Sequence, residues 1–402
     1  LFLTGCLSPL AASAQVDPIP RDMIQAGYNA SFQGHAPLAV YAYYLHNQPH
    51  FLQTNLTLRL AIAPTYLDSE LGISHVFTEH TDMGIGLAGG GFADTYDEID
   101  KGTFQTKESF TGHGIESSLG LYHRFNPDQR IPLNAVLRGV VHYSIYERDD
   151  STADNFVLPA NHTTFSLRTG FRLGGKEPIL FPSLAMELSA WYEVQFRTDS
   201  GAYGFTNSSG ALDREFNAIS QKFWAQALLA YTFTNSGQSF YVSLIGGSTV
   251  DADRFSCYRL GALLPLVSEF PLLLPGYYYQ ELSAQKFVLL GGNYFVPLDR
   301  KGRWNVNVMA ATAVVDYLPG LEQPGNSHTG VGAGLLYKTP ALKLMVGYAY
   351  GVNAIRNDSR GAHSVGILLQ IDLKHAKEAM LNQEETPGIW RGFQRIFSGF
   401  AQ

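Results

Sequence analysis

The 402-residue chain is poor in charge, has two cysteines, and contains no long apolar run. Asp, Glu, Lys and Arg make up 16% of it, against roughly 25% in an average soluble protein. The formal net charge of -7 comes without a basic patch, which excludes a surface for nucleic-acid backbones. No segment reaches the ~18 consecutive apolar residues of a spanning helix. If the chain crosses a membrane it must do so as strands, closed on themselves so that no backbone group stays unpaired in lipid. The cysteines, Cys6 and Cys257, have no metal-type spacing. Gly-x-Ser-x-Gly, His-Glu-x-x-His and calcium-loop patterns are missing too. Gly84, Gly86 and Gly89 have the spacing of a dinucleotide fingerprint, but strand-like alternation continues where a helix should follow. Ser327 and His328 are neighbours in a strand pattern, so they point to opposite faces and do not make a nucleophile and base pair. The sequence therefore offers no catalytic, cofactor or metal residues, and the chain is not expected to be an enzyme.

What is abundant is two-residue alternation, with 40 Gly, 25 Phe, 22 Tyr and 4 Trp. Phe165, Leu167, Thr169, Phe171 and Leu173 form one face of a segment whose other face is Ser166, Arg168, Gly170 and Arg172. Leu184, Met186, Leu188, Ala190, Tyr192, Val194 and Phe196 stand likewise opposite Glu187, Ser189, Trp191, Glu193 and Gln195. Side chains alternate across a strand, so each segment has one apolar and one wet face. This pattern predicts an all-β, transmembrane antiparallel β-barrel of about 16 strands over residues 24–373, with the wet face lining the lumen. Strands are expected at 24–33, 38–45, 55–63, 69–77, 83–96, 115–125, 133–147, 163–173, 180–197, 222–234, 240–247, 287–298, 304–316, 329–337, 342–350 and 364–373. Short connectors alternate with long ones, which places both termini at the short-turn, periplasmic end.

Outside the barrel, residues 1–14 read as the remnant of a secretory signal peptide, with Ala12-Ser13-Ala14 as a small-residue cleavage site. Leu3-Thr4-Gly5-Cys6 also admits a lipoprotein reading in which Cys6 is acylated. In the tail, 374–402, Ile389, Trp390, Phe393, Ile396, Phe397 and Phe400 recur at helical spacing. They predict a short amphipathic helix at the membrane interface or docked under the barrel.

The longest connection, 248–285, is rich in Leu, Pro and Tyr, and a loop of that length is rarely idle. Arg259-Leu260-Gly261, Leu274-Pro275-Gly276-Tyr277, Gly292-Asn293-Tyr294-Phe295-Val296-Pro297-Leu298, Val314-Val315-Asp316 and Gly330-Val331-Gly332-Ala333-Gly334-Leu335 follow in order. With these elements the C-terminal third resembles the BamA/TamA-like bacterial surface-antigen superfamily of outer-membrane barrels. The resemblance implies that the loop joins strands eleven and twelve of 16 and folds into the lumen, with Pro275, Gly276 and Tyr277 at its tip. It also implies that Asp316 is an acidic strand motif facing a loop-tip arginine. Here Pro275 replaces that arginine, and Asp316 falls in phase with Trp304, Val306 and Val308, so it turns inward only across a bulge. The chain reads as a barrel-only relative, without the periplasmic repeat domains.

Arg59, Arg124, Arg138, Arg168, Arg172, Glu116, Glu187, Glu193, Lys343 and Asp372 occupy inward positions. They predict either an ion-selecting ring or a network of paired charges that keeps the inner wall wet. The resemblance implies protein or lipid insertion or export across the bacterial outer membrane, through a weak seam between the first and last strands. A passive or selective pore and a structural barrel with a closed lumen are the alternatives. The expected partners are outer-membrane lipid and a client polypeptide or lipid, with no nucleic acid and no cofactor.

Overall fold

The structure, a computed structural model, describes residues 16–199, 201–265 and 270–381. The signal remnant and the tail helix expected at 389–400 lie outside the described residues.

Sixteen antiparallel strands form one closed sheet: β1 Arg21–Ser31, β2 Ala39–Pro49, β3 Leu56–Ile62, β4 Tyr66–Ile73, β5 Thr81–Gly90, β6 Thr111–Arg124, β7 Leu133–Glu147 and β8 His162–Gly175. The second half is β9 Leu184–Arg197, β10 Ile219–Thr232, β11 Ser239–Val250, β12 Leu282–Pro297, β13 Trp304–Tyr317, β14 Ser327–Lys338, β15 Leu342–Arg356 and β16 Ser359–Asp372. Each strand pairs with its neighbours in sequence, and β1 closes on β16. Among the described residues no helix is long and apolar enough to cross a membrane, which says nothing of strands.

Register fixes the two faces. Leu119, Phe165, Leu188, Leu229, Leu244, Val288, Val308 and Val346 are all exposed on the outside, an apolar belt that suits hydrocarbon and not water. The inward positions between them carry the charged side chains and glycines. On β15, Leu344, Val346 and Tyr348 face out while Lys343, Met345 and Gly347 face in.

The wall is uneven in height. β6 and β7 share fourteen residue pairs, whereas β2 and β3 share six. The expected weak place, the β1–β16 seam, holds nine consecutive pairs from Met23↔Asp372 to Ser31↔Ser364. The shortest ladder is therefore not the seam but lies beyond the nine-pair β1–β2 ladder next to it.

β5 ends earlier than the alternation suggests. Gly90 has φ +159, and a side chain there would strike the Thr65 carbonyl and the Tyr66 Cα. The chain leaves the sheet at this point, and Tyr96 belongs to the following loop. α1, Leu373–Leu381, starts directly after β16. Asp372, expected among the lumen charges, caps it by accepting from the His375 amide at 2.9 Å. Ala376 packs on Tyr337, Ala341 and Leu342.

Val346 is 43% exposed in the outer belt. Val346→Arg should lower the unfolding free energy in lipid vesicles by about 2 to 4 kcal/mol if it sits near midplane. Asp128→Arg, in an exposed turn, should stay within about 0.5 kcal/mol. Urea titration followed by tryptophan fluorescence measures both.

Candidate functional site

The lumen is filled from both ends. From the long-loop end comes the connection between β11 and β12, residues 251–281. Its first part, Tyr258–Leu260, extends the sheet by pairing with Leu282–Ala284. Its interior is a set of tight backbone contacts, including Gly261 N to Leu272 O at 2.9 Å and Leu274 N to Ala262 O at 3.0 Å.

The loop lies on inward glycines of the wall. A side chain at Gly330 would collide with the backbone of Pro275, one at Gly351 would crowd the backbone of Gly276, and one at Gly366 would press on the Leu264 side chain. Gly276 itself has φ +85 and backs onto Gly351, a combination only glycine satisfies without strain. Tyr277 is fully buried, and its hydroxyl is 3.0 Å from His328 Nδ1. His328 points inward to Tyr277 and Tyr317, while Ser327 is exposed on the outer face. Phe270 sits edge-on to Trp191 and Trp224 at 5.8 and 5.7 Å, and those two indoles stack on each other.

Two buried ion pairs hold the loop to the wall: Asp253 with Arg197 at the end of β9, and Glu281 with Arg356. Glu281 accepts two hydrogen bonds from Arg356 at the end of β15, at 2.8 and 2.7 Å, with both side chains essentially inaccessible to water. The guanidinium also lies 3.5 Å from the Tyr278 ring centroid. Sequence reading missed this pair. Asp316, expected to be the wall's half of such a contact, points outward, with its side chain 62% exposed and 3.7 Å from Lys286. The sheet irregularity at this level falls between Ala284 and Lys286 on β12, so nothing turns β13 around. The polarity is thus reversed, with the acid on the loop and the base on the wall.

From the end that carries the termini, the β8–β9 turn, 176–183, folds into the base of the barrel. Its Leu180 joins Met23, Tyr43, Leu263, Leu264 and Met345 in one buried cluster. The turn grips both sides of the seam. Leu180 N donates to Gln370 Oε1 of β16 at 2.7 Å, and Gln25 of β1 donates to the same oxygen at 3.1 Å. Tyr43 donates to Gln25 at 2.7 Å, and Lys343 donates to the Leu180 carbonyl at 2.5 Å. An apolar triplet, Ile179-Leu180-Phe181, between Pro178 and Pro182 was the available signal for this turn.

The inward charges are mostly paired across neighbouring strands. Arg59 meets Asp68 at 3.1 Å, Arg138 meets Glu116 at 3.5 Å, Arg168 meets Glu193 at 2.7 Å and Arg172 meets Glu187 at 3.3 Å. Arg168 and Arg172 also lie over Trp224 and Trp191. Arg124 stays outside this network and donates to the Gln129 carbonyl in its own turn at 2.7 Å. Lys343 has the seam turn as its partner and, among the described residues, no carboxylate.

Above the loop, four connections form a cap around Tyr96, Phe110, Phe156, Tyr203, Phe216 and Phe255. Arg254 pairs with Glu98 at 3.1 Å, and Arg214 bridges Glu98 and Glu108. Below the cap a chamber of about 520 Å³ is lined by Asp94, Glu116, Arg138, Arg168, Glu193 and Lys222, among others. Its floor includes the loop residues Leu264 and Phe270, so this polar space stops at the plug.

No protein-family model and no curated protein matches the sequence. Solved structures do. CdiB from Acinetobacter baumannii aligns with TM-score 0.57 at 9% identity, over 88% of this chain and 60% of that one. BamA from Haemophilus ducreyi lacking POTRA domains 1-3 aligns with TM-score 0.54 at 10% identity, over 87% and 70%. The chain has the 16-strand barrel fold of CdiB and BamA. CdiB from Escherichia coli gives 0.54 at 11% identity, over 87% and 63%. The chain thus spans less than two thirds of either CdiB, and at these identities the likeness is one of fold.

Removing one partner of a buried ion pair costs about 3 to 5 kcal/mol. Glu281→Gln should therefore loosen the second half of the loop, where Asp253–Arg197 does not hold it, seen as faster protease cleavage within 270–281 while the strands stay protected. A second outcome concerns pH. Burial raises the Asp97 carboxyl to about 6, with Arg259 opposing and Asp149 adding to the shift. The folded value exceeds the unfolded value of about 3.9, so the cap gains most from Asp97 below about pH 4 and loses that gain as pH rises through 6. Amide protection factors across 91–110, corrected for the intrinsic pH dependence of exchange, should be lower at pH 7.5 than at pH 5, and Asp97→Asn should flatten the difference.

Proposed function

We propose that this barrel resides in the bacterial outer membrane and acts in insertion or export of a polypeptide or lipid client, at its wall and not through a standing aqueous channel. The observation that carries this reading is the double plug. The 251–281 loop and the 176–183 turn meet in one buried cluster, and the turn is bonded to β1 and β16 on the two sides of the seam. A passive pore needs a continuous wet path, and the polar chamber ends on the plug. In a plugged barrel the wall is the remaining place to act. Two features support this: the seam is bonded to a turn inside the lumen, and the shortest ladder, β2–β3, is separated from it only by the β1–β2 ladder. The likeness of fold to CdiB and BamA is consistent with such a role. In this proposal the barrel is not an enzyme, its charges are structural, and its partners are outer-membrane lipid and the client.

The test locks the seam. Tyr28 and Ile367 are directly paired across it and both face outward, within the separation a disulfide needs. Purified protein in vesicles should speed either the insertion of an unfolded outer-membrane barrel or the transbilayer movement of a fluorescent phospholipid. The Tyr28→Cys, Ile367→Cys double variant should lose that activity when oxidised and regain it on reduction. Rates equal to empty vesicles in both assays, or activity indifferent to the crosslink, would contradict the proposal.

A further inference from the structure

Between the two plugs lies a second space of about 220 Å³, mostly apolar in its lining, with the paired Arg172 and Glu187 also at its wall. Leu263 and Leu273 line it from the loop, Ile245, Leu289, Met309 and Met345 from the wall, and residues 176–182 from the turn. An apolar cavity of roughly 150 Å³ stays dry and takes up apolar guests, and this one is larger. It is elongated along the barrel: on β11 its lining runs from Tyr241 to Ile245 and on β12 from Leu289 to Asn293, about 13 Å at the rise of a strand. One end reaches Lys176 and the exposed Glu177 at the rim that carries the termini.

Charge at that end has one sign to spare. Lys343 lies just outside the lining, donates to the carbonyl of the lining residue Leu180, and has no ion pair among the described residues. Its ammonium has three donors, so two remain for an acceptor.

We propose that this cavity binds the acyl chain of a single-chain amphiphile with an anionic head, the chain between the plugs and the head at Lys343. Such molecules are the apolar guests that a bilayer supplies to a protein embedded in it. A bound chain fills the space that separates loop from turn, so occupancy couples the long-loop plug to the seam turn. The inference stands on the cavity and does not depend on the export reading.

The test uses the full chain in a steroid detergent, which carries no alkyl chain to compete. Native mass spectrometry after incubation with dodecanoate, or with lauroyl lysophosphatidylglycerol, should show one retained equivalent per barrel. Retention of dodecanoate alone identifies a fatty acid as the source, and retention of the lysophospholipid alone identifies a lipid. Gly291 faces the cavity, and a Cβ there meets only ordinary contacts with Ser243 and Ala311, so Gly291→Leu should fill the space and reduce the adduct at least tenfold. Ser243→Leu should do the same from the neighbouring strand and serves if the first variant does not fold, as judged by heat-modifiable migration. Lys343→Gln should weaken dodecanoate but not dodecanol. Absence of both adducts, or several equivalents unaffected by filling the cavity, would overturn the proposal.

Discussion

The structure depends on one constraint: a sheet set in hydrocarbon must pair every backbone donor and acceptor within itself. Closure of β1 on β16 meets it with nine consecutive pairs. Once the sheet is closed and its apolar side chains face out, most polar and charged side chains of the strands are driven into a narrow interior. There they must find partners or fill space. The four arginine and carboxylate pairs across adjacent strands meet the first demand. The glycines at 330, 347, 351 and 366 meet the second, since each gives up a side chain where the loop lies close. Plug and wall are therefore complementary surfaces of one interior, and the loop cannot be considered apart from the strands that receive it.

The plug has unequal attachments. Toward the loop end it is held by a buried, bidentate ion pair, Glu281 with Arg356, and by aromatic packing of Phe270 on Trp191 and Trp224. Toward the other end the contacts are single hydrogen bonds between a short turn and Gln25, Gln370 and Lys343, with one partly exposed ion pair, Glu177 to Arg21 of β1 at 3.4 Å. Hydrogen bonds of that kind are worth about 0.5 to 1.5 kcal/mol each, somewhat more where a charge takes part. Motion should thus begin at the turn and seam, with the loop as the fixed partner. That order suits a wall that opens locally while the lumen stays blocked.

Much of this was legible from residue patterns because strand register has a period of two. The alternation through Phe165 and Arg168, or Leu188 and Glu187, fixes which side chains face lipid without knowledge of the pairing, and Asp316 follows its phase outward. What was not legible depends on paths between strands. Glu281 and Arg356 are 75 residues apart in sequence, and their meeting is set by how the loop folds back. The 176–183 turn reads as an ordinary short connector, since Ile179, Leu180 and Phe181 continue the apolar content of β9. Tyr96 reads as strand because local alternation survives the break at Gly90. In each case local propensity is silent about which neighbour the chain meets next.

The central claim, that the lumen is closed by its own loop and turn, is most directly tested by planar-bilayer conductance of the full chain and of a variant with 263–275 replaced by a short glycine-serine link. The account predicts little steady ion current for the native chain and a large increase on removal of the plug. A stable, high conductance in the native chain that is unchanged by the replacement would contradict it.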